Sequence, residues 1–136
     1  MTEKKQIVLA VDDMPVNLAT IRGILQNDFD MRLSKSARSA LAMLNTVTVD
    51  LILLDVEMPE MSGFEFLDNI KNNAEHPDLK NIPVIFITSH AGEDFMNRAA
   101  AAGAADYIVK PVTPQLLRDK IRAALGQGVS TLSNSV

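Results

Sequence analysis

Residues able to do chemistry fall where short apolar runs end. Asp12 and Asp13 follow Ile7-Val8-Leu9-Ala10-Val11, and Asp55 follows Leu51-Ile52-Leu53-Leu54. Thr88 closes Val84-Ile85-Phe86-Ile87-Thr88, and Lys110 follows Tyr107-Ile108-Val109. If these runs are strands of one open α/β sheet, all five residues stand at the carboxyl ends of strands, where such sheets bind ligands. Three carboxylates in one crevice repel, and without a cation at least one of them takes up a proton. Mg²⁺ suits the set, because it takes oxygen ligands and is held by one or two carboxylates together with waters and phosphate oxygens. Lys110 adds a positive charge for a phosphoryl oxygen, and Thr88 a hydroxyl donor. Together they form a clamp for phosphoryl transfer, in which positioning and charge neutralisation do most of the catalysis. An aspartate carboxylate is a competent nucleophile for that step.

The elements that must hold these residues repeat one pattern five times: apolar run, turn, amphipathic stretch. Asp30-Met31-Arg32-Leu33-Ser34 is a weaker second run. The first, third and fourth runs are apolar throughout, as strands covered on both faces are. Leu18, Ile21 and Leu25 make a helical stripe after Pro15, which suits a first helical position. Ser36 is placed to cap a helix carrying Ala37, Ala40, Leu41 and Leu44. Ser62 precedes Phe66, Leu67 and Ile70; Phe95, Ala99 and Ala102 form a stripe that Gly103 ends; Thr113 and Pro114 open a last helix with Leu117, Ile121 and Ala124. Strands alternating with helices imply right-handed βαβ units and a doubly wound α/β fold. Asn72 to Pro83 reads as a polar surface connection. The uncharged segment 126–136 reads as a tail or the start of a linker, which leaves 1–125 as the domain.

Each site residue also has a plainer reading. Asp12 or Asp13 could cap the helix near Pro15, Asp55 could end a strand before a turn, Thr88 and Tyr107 could be strand and core residues, and Lys110 could be a solvated charge. None of these explains why the four sites, Asp12-Asp13, Asp55, Thr88 and Lys110, fall at strand carboxyl ends.

Composition narrows the function. A length of 136 residues fits one domain, and 47% hydrophobic residues suit a globular core. The chain has no cysteine, which removes disulfides and thiolate chemistry. A net charge of −4 and the absence of tryptophan argue against a nucleic-acid footprint. No signal peptide or membrane span is legible, so the expectation is a cytoplasmic protein.

Val11-Asp12-Asp13, Leu54-Asp55-Val56-Glu57-Met58-Pro59-Glu60-Met61-Ser62-Gly63, Ile87-Thr88-Ser89 and Tyr107-Ile108-Val109-Lys110-Pro111, taken in order, resemble the receiver domains of two-component response regulators, of the single-domain chemotaxis-regulator kind. The resemblance covers residues 6–125. It implies a flavodoxin-like five-stranded parallel sheet, order 2-1-3-4-5, with five flanking helices. It implies Asp55 as phosphoacceptor and Mg²⁺ held by Asp13, by Asp12 directly or through water, by Asp55 and by the backbone carbonyl of Glu57. It places Lys110, Thr88 and Ser89 at the phosphoryl group, with Tyr107 as the switch aromatic. The donor would be a histidine kinase or a histidine phosphotransfer protein. The reader would be a downstream protein or output domain, meeting a surface of fourth helix, fifth strand and fifth helix through which a homodimer is a further arrangement. The chain would be a switch rather than an enzyme, catalysing only its own phosphotransfer and autodephosphorylation.

Glu57 and His90, each two residues beyond a site residue, either tune the lifetime of the phosphoryl group or point into solvent. Glu57 also stands where a small aspartate-nucleophile phosphohydrolase would carry its second acid. The cognate kinase and the output stay open, as does whether the chain stands alone or begins a longer protein.

Overall fold

The computed structural model describes residues 4–126. Five strands alternate with five helices: β1 (Ile7–Val11), α1 (Pro15–Leu25), β2 (Asp30–Ser34), α2 (Ala37–Leu44), β3 (Leu51–Asp55), α3 (Gly63–Lys71), β4 (Val84–Thr88), α4 (Glu93–Ala102), β5 (Asp106–Val109) and α5 (Pro114–Ala124). The strands form one parallel sheet in the order β2-β1-β3-β4-β5.

The apolar runs are explained by two cores, one on each face of the sheet. Leu9, Val11, Ile52, Leu54, Val84 and Phe86 point to the side covered by α2, α3 and α4. Their alternating neighbours Val8, Ala10, Leu51, Leu53, Ile85 and Ile87 point to the side covered by α1 and α5. Because successive side chains in a strand face opposite ways, a strand buried on both sides must be apolar at every position. β2 and β5 lie at the sheet edges and are only partly buried, which is why their sequences are more polar.

The helix ends follow the local chemistry. Ser36 accepts from the Ser39 N–H, and Thr113 from Leu116. Ser62 and Glu65 form a reciprocal capping box at the start of α3. Gly103 ends α4 at φ +97°, a left-handed conformation that favours glycine. The connection between α3 and β4 departs from the surface reading. It contains a 3₁₀ turn, Pro77–Asn81. Leu79 and Ile82 are buried and close the lower end of the core beside α3. Two apolar residues spaced three apart in a polar segment fill one side of a single tight turn.

Register decides what converges. Val11 pairs with Leu54, and Thr88 with Val109. Asp12 and Asp55, which follow Val11 and Leu54, therefore emerge at one level; Asp55 is level with Ile87 and Ile108, so Thr88 stands one residue and Lys110 two residues further along the carboxyl edge.

Candidate functional site

Asp12, Asp13 and Asp55 each offer a carboxylate oxygen within 4.8 Å of the others. Asp12 and Asp55 are 3% and 5% exposed, and Asp13 is half-buried. The chain leaves β1 with the Asp12 N–H donating to the Ser34 carbonyl at 3.1 Å. The Asp12 carboxylate then accepts from the Met14 N–H at 2.9 Å and from the Asn17 amide at 3.1 Å. Met14, not either aspartate, occupies the N-cap position of α1 and makes no side-chain cap bond.

Asp55 is the last residue of β3 rather than the residue after it. Its Oδ1 accepts from the Glu57 N–H at 3.1 Å and lies 3.9 Å from Lys110 Nζ. Burial pushes its carboxyl up to about 6; the Glu57 N–H and the Lys110 charge oppose that rise, while the Asp12 and Asp13 charges add to it. An all-oxygen set of three crowded carboxylates, one already resisting ionisation, fits a small hard cation such as Mg²⁺.

Thr88 is fully buried at the end of β4, and its Oγ1 accepts from the His90 N–H at 2.9 Å. The Lys110 N–H donates to the Thr88 carbonyl at 2.7 Å, which ties β5 to β4 beside the acids. Tyr107 is half-buried against the α2–α3–α4 core, with Lys120 Nζ 5.8 Å from its ring centroid. Glu57 and His90, both about half exposed, meet. His90 Nε2 lies 2.6 Å from Glu57 Oε2, and Ser89 Oγ donates to Glu57 Oε1 at 3.2 Å. The loop after β3 is thus tied to the loop after β4.

Three features had no role in the sequence reading. Asn17 touches Asp12, and the only hint was a polar residue in the first turn of α1. Gly63 sits where a Cβ would lie 2.8 Å from Val56 Cα and 2.9 Å from the Asp55 carbonyl oxygen, so only glycine lets α3 start against the strand that carries Asp55. Phe64, Phe86 and Phe95 pack edge to face or tilted, Arg98 lies 3.8 Å from the Phe64 ring centroid, and His90 stacks on Phe95. In the sequence Phe86 belongs to a strand run and Phe95 to a helical stripe, so only the tertiary contacts reveal the cluster.

A 2-1-3-4-5 parallel sheet with an acidic triad and a lysine at its carboxyl edge defines a flavodoxin-like class of protein with its ligand site at that edge. The chain belongs to the response regulator receiver domain family, whose model matches residues 8–122. It is 39% identical over 109 residues to the two-component response regulator ORR5 of Oryza sativa subsp. japonica, covering 79% of each chain. It is 37% identical over 118 residues to a probable cyclic di-GMP phosphodiesterase of Vibrio cholerae, covering 87% of this chain and 26% of that protein. Among solved structures, the chemotaxis protein CheY4 of Vibrio cholerae superposes with a TM-score of 0.82 at 29% identity, covering 89% of this chain and 99% of that one. The protein is therefore a receiver domain of two-component signalling, a phosphorylation switch. Among the described residues no helix is long and apolar enough to cross a membrane.

Proposed function

We propose that Asp55 accepts a phosphoryl group from a phosphohistidine on a histidine kinase or histidine phosphotransfer protein, with Asp12, Asp13, Asp55 and the Glu57 backbone carbonyl holding Mg²⁺. The observation that carries this reading is the convergence of three carboxylates within 4.8 Å, with Lys110 Nζ 3.9 Å from Asp55 Oδ1.

In the transfer, an Asp55 carboxylate oxygen attacks phosphorus. The P–O bond forms as the P–N bond to the donor imidazole breaks, and the bonding pair returns to the ring nitrogen. Asp55 must be ionised for this, and a carboxyl held at about 6 is mostly so at neutral pH. When bound, Mg²⁺ supplies positive charge to the carboxylates and to the phosphoryl oxygens. Lys110 meets a phosphoryl oxygen as a point charge. Thr88 uses Oγ1 as an acceptor for His90, so its own hydrogen remains to be donated to the new phosphoryl group, with Ser89 beside it.

A phosphoryl group adds about −1.5 to −2 of charge. Drawing Thr88 toward it disturbs the His90 contact and the space beside Tyr107, which changes the face made by α4, β5 and α5. That face is the one offered to an output domain, a separate target or a second copy. The chain catalyses only its own phosphorylation and autodephosphorylation. Residues 1–125 form the switch, which acts in the cytoplasm; the segment from 126 serves as tail or linker, nearly all of it outside the described residues.

The test is incubation with Mg²⁺ and a small acyl-phosphate donor, followed by mass spectrometry. Wild type gains one phosphoryl group and Asp55→Asn gains none; equal gain in both refutes the assignment.

A further inference from the structure

We propose that Asn17 is a positioning residue: its amide holds the Asp12 carboxylate in the orientation that meets a cation, and so sets the affinity of the acidic cluster for Mg²⁺. The inference rests on the reading of Asp12 as a cation ligand.

Asp12 is buried, and its two oxygens are held separately. Oδ1 accepts from the Met14 N–H at 2.9 Å, and Oδ2 from Asn17 Nδ2 at 3.1 Å. Two anchors on two oxygens fix both the position and the plane of a carboxylate. An ionised carboxylate only accepts, so the NH₂ end of the Asn17 amide must be the end that faces it. Of its roughly four lone-pair positions, the two anchors occupy two and leave the rest for the cluster.

The backbone anchor is available to any residue but proline at position 14. The side-chain anchor depends on Asn17 alone. Asn17 is half-buried in the first turn of α1, and it lines a cavity of about 220 Å³ together with Asp12 and Lys110. Pro15 at the start of α1 brings it within reach, since a helix beginning there puts residue 17 in the first turn.

A neutral amide is well suited to this position. A lysine or arginine in its place would neutralise Asp12 and compete with the cation. An amide stabilises the negative charge by one hydrogen bond and leaves the charge available. Hydrogen bonds that orient a ligating carboxylate typically change metal affinity by about 10- to 100-fold when removed.

The experiment titrates metal-free, unphosphorylated protein with Mg²⁺ by calorimetry and measures urea unfolding of the same samples. Wild type is compared with Asn17→Leu, which keeps size and loses the donor, with Asn17→Ala as a second donor-free variant should the leucine disturb folding. Asp13→Asn reports on the cation site itself, and Val16→Ala controls for changes on exposed α1. The donor-free variants bind Mg²⁺ about tenfold more weakly, with a metal-free urea midpoint close to wild type. In the acyl-phosphate reaction they need about tenfold more Mg²⁺ for half-maximal rate and reach the wild-type rate at saturation. A merely structural asparagine would lower stability and leave the Mg²⁺ requirement alone. Affinity within twofold of wild type in both donor-free variants, alongside lost binding in Asp13→Asn, overturns the role of Asn17 and leaves the cation site standing. Wild type that binds no Mg²⁺ overturns both.

Discussion

Asp55→Asn should make the metal-free protein more stable at neutral pH, and by an amount that depends on pH. In the native state burial holds the Asp55 carboxyl at about 6, against 3.8 for an unperturbed aspartate. A group whose native value is raised contributes stability that is fully present below the unfolded value and is lost as pH rises through the native one. Over the whole window the loss is about 3 kcal/mol, at about 1.4 kcal/mol per tenfold change in proton affinity. Between about pH 4.5 and about pH 7.5 it is about 2 kcal/mol. Asparagine keeps the shape of the side chain and an oxygen for the Glu57 N–H, but it does not titrate. The assay is urea unfolding in the presence of a chelator, wild type beside Asp55→Asn, at both pH values. Every other titrating group is common to the two proteins, so the difference between them reports Asp55 together with its coupling to Asp12, Asp13 and Lys110. The variant should gain about 2 kcal/mol on wild type in going from the lower pH to the higher. Mg²⁺ should close that gap at neutral pH, because a cation that binds only the native cluster stabilises wild type by mass action. A stability difference that stays constant within about 0.5 kcal/mol across the two pH values would refute the reasoning, since Asp55 would then titrate alike in both states.

Gly63→Ala should destabilise the fold by about 1–3 kcal/mol in urea, because the new Cβ meets the Val56 and Asp55 backbone at 2.8 and 2.9 Å and neither can swing away; a change near zero would mean that α3 shifts without strain. The Glu57–His90 pair is about half exposed, so Glu57→Ala and His90→Ala should each cost less than about 1 kcal/mol. Each should nevertheless change the half-life of the phosphorylated form, because the pair ties together the loops that flank Asp55; an unchanged half-life in both would end that idea.

Where a property depends on near neighbours in the chain, the sequence carried it. Apart from Asp55 and Thr88 at their carboxyl ends, the residues of β1, β3 and β4 had to be apolar to be buried from both faces, and the runs read that way. Ser36, Ser62, Thr113 and Gly103 announced helix ends, because caps are satisfied within a turn. The reactive residue types, and their places at strand ends, were likewise legible. The strand order was not: periodicity says that a strand is covered, not which strand lies beside it, and the order came from the family resemblance. Register then decided that Asp12 and Asp55 emerge at one level, with Thr88 one residue and Lys110 two residues further along the same edge. Only tertiary structure joined Glu57 to His90 across 33 positions, turned Leu79 and Ile82 inward, and packed Phe64, beneath Arg98, edge to face with Phe86 and Phe95. It also gathered the three separate strand-end acids into one cluster and buried Asp55, and that burial, more than the neighbouring charges, raises its carboxyl to about 6. Burial and the approach of charges from other strands are sums over neighbours distant in the chain, and those neighbours exist only once the sheet has closed.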